Sequence, residues 1–367
     1  MQAWASSPVR PPDEIPICLP IREWQQNSTA RAGTLAPTFE RLNMTLYKLI
    51  SYFLLIAGTA SVLSGQTQRL ELTTQISLPF RFVAYGDTRF TDPKNTDPSN
   101  PVVRQMLVKA IADARPAFIS IGGDIAYRGD DVNDWKIWDA ETAVWHDNKI
   151  PVYPVLGNHD LYGDQTVALA NYFQRFPDLQ NNRYYSVRAA NTLLLVLDSS
   201  LDETSGPQGE WLAHKLDGLP GDIDFVCLVL HHPPYTDSTD QTVGGGHSSR
   251  TPEQALAKML EERQPRTRAR FVVIAGHVHN YERHEHGGVT YFVTGGGGAH
   301  PYPITRQPGD PLFSKAVNYH YLLVEVDRGK MKITMERVEL TDGKASWSTP
   351  DALEIAAPIA MPAKAGK

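Results

Sequence analysis

The sequence predicts an α/β fold that gathers its functional side chains at the carboxyl edge of a sheet. Apolar runs typical of buried strands alternate along the chain with segments of helical periodicity. In an open α/β sheet, side chains reach one crevice when each strand is followed by a glycine and then by a polar ligand residue. Five segments that carry metal-binding residue types follow such apolar runs: Gly86-Asp87-Thr88-Arg89, Gly123-Asp124-Ile125-Ala126-Tyr127, Gly157-Asn158-His159-Asp160, His231-His232-Pro233 and Gly276-His277-Val278-His279.

Strands and helices are expected in alternation from Phe80 onwards. The predicted strands are Phe80–Gly86, Phe118–Gly122, Val152–Leu156, Thr192–Asp198, Phe225–Leu230, Phe271–Ala275, Thr290–Thr294, Tyr319–Val326 and Lys330–Val338. The predicted helices are Pro101–Ala114, Asp131–Asp147, Gln165–Arg175, Gly209–Leu216 and Pro252–Arg263. Thr251 is the expected cap of the last helix, with Pro252 in its first turn. The last two strands should form a hairpin that turns at Arg328 and Gly329.

Aromatic and cysteine side chains within these elements are expected in the core. Trp135, Trp138 and Trp145 are spaced to share one face of a predicted helix, which favours core packing over stacking against a substrate. Cys227 lies inside an apolar strand and is expected to be a small core side chain.

The five segments offer carboxylates, an amide and imidazoles, and none of them contains a cysteine. This set suits borderline or hard divalent and trivalent ions rather than soft, thiolate-bound metals. Two ions about 3.5–4 Å apart need a bridging carboxylate, and a bound ion lowers the pKa of water to roughly 7. The ligand chemistry therefore predicts a pair of metal ions and the hydrolysis of phosphate esters.

The motifs resemble those of the calcineurin-like metallophosphoesterases and, within that superfamily, the purple acid phosphatases. The resemblance runs from about Phe80 to about Gly298. It implies two stacked sheets flanked by helices, with a dinuclear metal site at the carboxyl ends of the strands. The segments that carry it best are Gly123-Asp124-x-x-Tyr127 and Gly276-His277-Val278-His279-Asn280-Tyr281-Glu282-Arg283.

By that resemblance two ions are bound, and Asp124 bridges them. The first ion, expected to be ferric, is held by Asp87, Tyr127 and His279. The second, a divalent ion of iron, zinc or manganese, is held by Asn158, His231 and His277. The family's ligand sits two residues before a proline, which favours His231. Since His232 has the same spacing to Pro234, the choice between the two histidines stays open.

Arg89 departs from the family pattern, because the purple acid phosphatases have glycine at this position and the wider superfamily has a metal-binding histidine. Arginine stays protonated and binds no metal, but its guanidinium can hold a phosphate through two hydrogen bonds. Arg89 is expected either to contact the substrate phosphate or to turn outward and pair with a carboxylate such as Asp92. The large Arg89 side chain also affects whether Tyr127 reaches the first ion.

Two histidines are candidates for proton transfer. His159 follows the expected ligand Asn158, and the resemblance implies that it meets the phosphate or the leaving group. His247 follows three glycines, and the resembling phosphatases bring histidines over the substrate from a loop in this interval. In the expected mechanism a metal-bound hydroxide attacks phosphorus, and His159 or His247 protonates the leaving oxygen.

The expected function is the hydrolysis of small phosphate monoesters by an acid phosphatase-like enzyme. The rival is a phosphodiesterase or nucleotide pyrophosphatase of the same superfamily, with two divalent ions and no iron–tyrosinate bond. A remote alternative is a non-catalytic phosphate-binding protein. A net charge of −6 without a lysine–arginine cluster predicts no nucleic-acid partner. The sequence does not indicate an oligomeric state.

The amino terminus is expected to lie outside the enzyme domain. Residues 44–65 resemble a secretory signal peptide, because Lys48 precedes an uncharged apolar stretch from Leu49 to Leu63. Residues 1–43 are expected to be a disordered or non-native extension, 76–345 the metallophosphoesterase domain and 346–367 a tail. The protein is expected to be secreted or periplasmic, without stable membrane insertion after signal cleavage, since a membrane span needs about 20 apolar residues.

Overall fold

The computed structural model describes residues 70–358, apart from 242, 244–245 and 307–318. The expected signal peptide and the extension before it lie outside the described residues. No helix among the described residues is both long enough and apolar enough to cross a bilayer.

The described strands and helices alternate along most of the chain. The strands are β1 (Glu71–Thr74), β2 (Phe80–Tyr85), β3 (Ile119–Ile121), β4 (Val152–Pro154), β5 (Tyr185–Ala189), β6 (Thr192–Val196), β7 (Phe225–Leu230), β8 (Arg270–Ala275), β9 (Tyr281–His286), β10 (Val289–Thr294), β11 (Tyr319–Val326), β12 (Lys330–Thr341), β13 (Lys344–Ser348) and β14 (Ala352–Ala356). The helices are α1 (Pro101–Ala114), α2 (Val132–Glu141), α3 (Ala143–Asp147), α4 (Gln165–Arg175), α5 (Gly206–Asp217) and α6 (Thr251–Arg263).

The strands form two sheets. The first has the order β1-β5-β6-β7-β8-β10-β9, and the second has the order β13-β12-β11-β2-β3-β4, with β14 also paired to β12. In the second sheet β2, β3 and β4 run parallel, as do β6, β7, β8 and β10 in the first. Because parallel strands end at the same edge, each sheet presents a row of carboxyl ends.

Alternating side chains of the strands fill two apolar clusters. The larger cluster takes residues from both sheets, among them Phe82 of β2 and Cys227 of β7. The smaller joins helices α5 and α6 to the first sheet, where Val226 and Leu228 of β7 meet Trp211 of α5. Because successive residues of a strand point to opposite faces, β7 is buried on both sides. The predicted α/β fold of two sheets flanked by helices is confirmed.

The expected core residues are buried. Trp135, Trp138 and Trp145 all belong to the larger cluster. Cys227 is a free, fully buried cysteine, and burial raises the pKa of its thiol to about 12. These side chains pack the fold, as the sequence predicts.

Helix boundaries differ from the prediction at three places, one of which is the start of α5 at Gly206 rather than Gly209. The single helix expected over residues 131–147 is divided at Thr142, whose hydroxyl and amide both donate to the carbonyl oxygen of Trp138. A threonine that bonds back to the preceding turn in this way competes with helix continuation. The last helix begins at Thr251 itself, with Arg250 at the N-cap position and no side-chain cap bond, so the expected capping role of Thr251 is wrong.

The second sheet extends beyond the expected domain boundary at residue 345. Strand β13 crosses that boundary, and β14 lies wholly within the segment expected to be a tail. β14 pairs with β12, and its residues Leu353 and Ile355 pack against the larger apolar cluster. The domain also begins earlier than expected, because β1 pairs with β5. Strands β1, β5, β9, β13 and β14 were not predicted, since most are short and polar on one face.

Candidate metal centre

Metal-binding side chains of both sheets meet at the carboxyl ends of five strands. Asp87 follows β2, Asp124 follows β3 and Asn158 follows β4, all in the second sheet. His231 follows β7 and His277 follows β8, both in the first sheet. One hydrogen bond links the two sheets directly here, because His231 Nδ1 donates to the carbonyl oxygen of Gly122 over 2.8 Å. The parallel strands thus deliver their ligands to one crevice, as predicted.

The backbone at these strand ends is strained. Asp87, Asp124 and His277 have φ angles of 60°, 52° and 69°, in the left-handed region that side chains other than glycine seldom adopt. Gly157 allows a close approach, since a Cβ there would lie 2.4 Å from Asp124 Oδ1. Such strain persists only where the surrounding structure enforces it, and it concentrates at functional sites.

Three imidazoles are held in the same way, each by a backbone carbonyl. His231 Nδ1 donates to Gly122, and His279 Nδ1 donates to the carbonyl oxygen of His300 over 2.8 Å. His277 Nε2 lies 3.4 Å from the carbonyl oxygen of Gly246. A carbonyl oxygen only accepts, so the bonded nitrogen carries the proton and the other nitrogen offers a lone pair. Fixing the tautomer of a metal-binding histidine is the usual task of such a bond.

Four side chains form what we call the second position: Asp124, Asn158, His231 and His277. His231 Nε2 lies 3.0 Å from Asn158 Oδ1 and 3.3 Å from Asp124 Oδ1. His277 Nδ1 lies 3.1 Å from the same Asn158 oxygen. Donor atoms that share an ion at about 2.0–2.2 Å are separated by about 3–3.5 Å in tetrahedral geometry. The spacing of this donor set therefore fits a metal ion.

Asp87 and His279 form what we call the first position. Asp87 Oδ1 and His279 Nε2 lie 3.6 Å apart, and both are buried atoms without a hydrogen-bond partner in the described part of the chain. Buried polar atoms are almost always satisfied, so an unpartnered carboxylate oxygen facing an unpartnered imidazole nitrogen fits an ion between them. Ligand atoms of Asp87, Asp124 and His231 all lie within 4.8 Å of one another, which allows Asp124 to serve both positions.

The two carboxylates differ in their electrostatic surroundings. Burial, reinforced by the Asp124 charge, raises the pKa of Asp87 well above its usual value. Burial also opposes ionisation of Asp124, but His231, His159 and Arg89 hold its pKa well below the usual range. Burial lowers the pKa values of His277 and His279 well below that of a free imidazole. Neutral imidazoles beside an ionised carboxylate are the protonation states that a metal ion requires.

His159 and Tyr127 pack together at the side of the crevice. The His159 amide donates to Asp124 Oδ1 over 2.9 Å, and its Nδ1 lies 2.7 Å from the carbonyl oxygen of Tyr127. The two rings stack with centroids 5.5 Å apart. Within the described ranges, the Tyr127 hydroxyl makes no hydrogen bond to Asp87, Asp124 or His279. The structure brings His159 against the Asp124 carboxylate, with the Tyr127 ring stacked beside it.

Arg89 is turned inward onto the Asp124 carboxylate. Its Nε and Nη2 atoms donate to Asp124 Oδ2 over 3.4 and 3.2 Å, and its side chain is only 12% exposed. Arg89 does not turn outward to pair with Asp92. The buried Asp124 charge is a stronger partner for the guanidinium than a solvated loop carboxylate.

Two loops cover the cluster. The His247 ring stacks on His277 at 4.5 Å, and the Tyr302 ring stacks on His279 at 4.1 Å. His247 thus lies above the second position, whereas Tyr302 is a site residue that the sequence did not identify. Tyr302 stands in a loop without periodicity, and its only sequence signal is that the loop follows the glycine run 295–298.

The adjacent histidines are distinguished by their partners. His232 Nδ1 lies 2.8 Å from Ser199 Oγ, although the ring also approaches His277 at 4.3 Å. His231 instead faces Asn158 and Asp124. The geometry therefore favours His231 as the ligand of the second position.

Comparisons with known proteins find similar sequences and similar structures. A model of the calcineurin-like phosphoesterase family matches residues 80–281. Purple acid phosphatase 23 of Arabidopsis thaliana is 27% identical over 145 residues, which make up 37% of this chain and 30% of that protein. The structure of a purple acid phosphatase from yellow lupin (Lupinus luteus) seeds has a TM-score of 0.61 at 16% identity, over 77% of this chain and 55% of that one. A dimetal phosphatase from Danio rerio has a TM-score of 0.48 at 13% identity, over 76% and 99% of the two chains.

The matches define a family and a fold. The chain covers only 30% of the Arabidopsis protein and 55% of the lupin one. The lupin structure shares the fold, and the family implies a dinuclear metal centre. Because the family model matches more than half of the sequence, the chain belongs to the calcineurin-like phosphoesterase family of metal-dependent phosphoesterases.

Proposed function

We propose that the protein is an acid phosphatase-like enzyme that hydrolyses small phosphate monoesters at its metal centre. The observation that carries the proposal is the common orientation of three imidazoles. His231, His277 and His279 each give one nitrogen to a backbone carbonyl. The other nitrogen faces Asp124 and Asn158 in His231, Asn158 in His277 and Asp87 in His279. Orientation of this kind is costly to maintain unless the free nitrogens bind an ion.

The proposed chemistry divides between the ions and the chain. Bound ions would supply positive charge to the phosphate oxygens and lower the pKa of water to roughly 7. Since the Nδ1 proton of His159 is directed at the Tyr127 carbonyl, Nε2 is the atom available to meet a phosphate or a leaving oxygen. His247 is the second candidate proton donor, because its ring lies over His277. Arg89 would stabilise the phosphate charge if it released Asp124.

Phosphodiester hydrolysis by two divalent ions is the second candidate function. It is favoured by one observation: the Tyr127 ring stacks on His159, and within the described ranges its hydroxyl makes no hydrogen bond to Asp87, Asp124 or His279. Without a phenolate ligand the centre has no special preference for ferric iron, and manganese or zinc would suit its oxygen and imidazole donors. Ferric iron remains the metal of the monoesterase proposal, with Tyr127 as its ligand.

The test compares a monoester and a diester on the same preparation. Full-length protein loaded separately with iron, Zn²⁺ and Mn²⁺ would be assayed on 4-nitrophenyl phosphate and bis(4-nitrophenyl) phosphate between about pH 4 and about pH 9. Preferential turnover of the monoester supports the first candidate, and preferential turnover of the diester supports the second. Violet colour in the iron-loaded protein would indicate a phenolate bound to iron. No turnover of either ester would leave only the non-catalytic phosphate-binding alternative.

We further propose export, on the basis of residues 44–65. Amino-terminal sequencing of protein recovered from the periplasm or the medium of an expressing bacterium tests this. A start shortly after residue 65 supports signal cleavage. Recovery of the uncleaved chain from the cytosol alone contradicts it.

A further inference from the structure

The two oxygens of Asp124 face different surroundings. Oδ1 faces the second position, where it lies 3.3 Å from His231 Nε2 and accepts the His159 amide at 2.9 Å. Oδ2 accepts both Nε and Nη2 of Arg89. The Oδ2 side of the carboxylate is therefore occupied by the positive charge of Arg89, which leaves Oδ1 alone free of it.

Tyr302 helps to enclose Arg89 on this side. Its ring stacks on His279 with an interplanar angle of 14°, and its amide donates to the carbonyl oxygen of His279 over 3.0 Å. The Arg89 guanidinium lies close enough to interact electrostatically with the Tyr302 hydroxyl, with Asp87 and with Asp124. The guanidinium thus sits among the groups that surround the first position.

At the second position, unlike the first, no arginine of the described residues pairs with the donor atoms. Its oxygen and imidazole donors point at one another without an intervening cation, and they come from four different strand ends. The first position keeps Asp87 and His279, but an ion there would compete with Arg89 for Asp124. An ion entering there has to displace a buried ion pair or share a carboxylate with a like charge, and either event lowers its affinity.

We propose that Arg89 makes the two metal positions unequal, so that one divalent ion binds tightly at the second position and another enters the first position only when Arg89 releases Asp124. This inference rests on the proposed function. A phosphate in the crevice offers the guanidinium another anion, which it can bind through two hydrogen bonds. Phosphate and the first ion should therefore strengthen each other's binding, since coupling between two ligands is reciprocal.

The test is a titration of the metal-free full-length protein with Mn²⁺, with and without inorganic phosphate. The wild-type protein should show two Mn²⁺ dissociation constants that differ by at least about tenfold, and phosphate should reduce the difference. Arg89→Gly should bind two Mn²⁺ ions with dissociation constants within about threefold of each other, and phosphate should no longer affect their ratio. Metal content after dialysis, measured by mass spectrometry, gives an independent count of the ions retained.

Arg115→Gly is the matched control. Arg89 and Arg115 have φ angles of 45° and 48°, so glycine relieves the same backbone strain at both positions and removes the same charge. Arg115 is exposed at the end of α1, and its substitution should leave both constants unchanged. Two equal Mn²⁺ dissociation constants in the wild type would overturn the inference. Unequal Mn²⁺ dissociation constants that persist in Arg89→Gly would also overturn it.

The readouts separate this inference from the proposed function. Turnover of 4-nitrophenyl phosphate by a wild-type protein with two equal sites would refute the inference and leave the function standing. Unequal sites in a protein that hydrolyses neither ester would support the inference and refute the function.

Discussion

Among the fully buried acidic side chains in the described part of the chain are two neighbouring pairs, and one of these pairs is suited to bind metal. Asp87 and Asp124 lie at the strand ends, whereas Glu203 and Glu253 lie at the loop before α5 and in α6. Burying a carboxylate is costly unless it is paired or protonated, and the two pairs meet this cost differently. Asp124 stays ionised beside His231, His159 and Arg89, whereas burial and the nearby Glu253 raise the pKa of Glu203 to about 8.

The difference shows what makes a metal site from buried acids. Three imidazoles and an amide surround the aspartates, and the free atoms Asp87 Oδ1 and His279 Nε2 face each other. Glu253 instead pairs with Arg250, and within the described ranges no histidine joins the glutamates in a group that could hold an ion. We therefore expect the aspartate pair to bind cations and the glutamate pair to retain a proton.

The largest effect is expected from Asp124→Asn. An amide is neutral and cannot bridge two ions as a carboxylate does, so turnover of 4-nitrophenyl phosphate should fall by at least about three orders of magnitude, with loss of bound metal. Glu253→Gln is the matched change in the other pair, and its turnover should stay within about threefold of the wild type. If Asp124→Asn and Glu253→Gln lost turnover to a similar degree, the expected difference in function between the aspartate pair and the glutamate pair would be refuted.

The next largest effect is expected from His159→Ala. Loss of a general acid usually lowers turnover by about two to four orders of magnitude, and the metal content should not change, because His159 touches Asp124 only through its amide. His146→Ala is the control, since the His146 side chain is 95% exposed. A loss of less than about threefold would exclude His159 from proton transfer.

The sequence predicted the donors at the metal centre better than it predicted what surrounds them. Asp87, Asp124, Asn158, His231 and His277 follow predicted strands directly, and parallel strands bring their ends together. The side-chain directions of Arg89 and Tyr127 could not be predicted, because they depend on charge and packing contacts between loops. Tyr302 meets His279 through a loop whose path has no sequence periodicity.

Tyr127→Phe should have a small effect if the centre holds two divalent ions without a phenolate ligand. Because the Tyr127 ring packs on His159, removing its hydroxyl from such a centre should change turnover by less than about threefold. Metal content and the visible absorption spectrum of the iron-loaded protein should also be unchanged. Loss of a violet band together with turnover would show that Tyr127 moves onto the ion when metal binds, and the aspartate site would then include a phenolate.

The smallest effect on turnover is expected from Glu203→Gln, which should instead change the pH dependence of stability. The pKa of Glu203 is about 8 in the folded protein, against a usual value of 4.5, so the folded state holds the proton more tightly. The contribution of Glu203 to stability should therefore be greatest below about pH 4.5, fall as pH rises toward 8 and level off above it, by on the order of a few kcal/mol. Glutamine cannot ionise, so the melting temperature of Glu203→Gln should fall less between pH 5 and 9 than that of the wild type.

Glu210→Gln, a change at an exposed residue of α5, is the control, and its melting temperature should depend on pH as in the wild type. Equal slopes in all three proteins would mean that Glu203 is not the group that retains the proton.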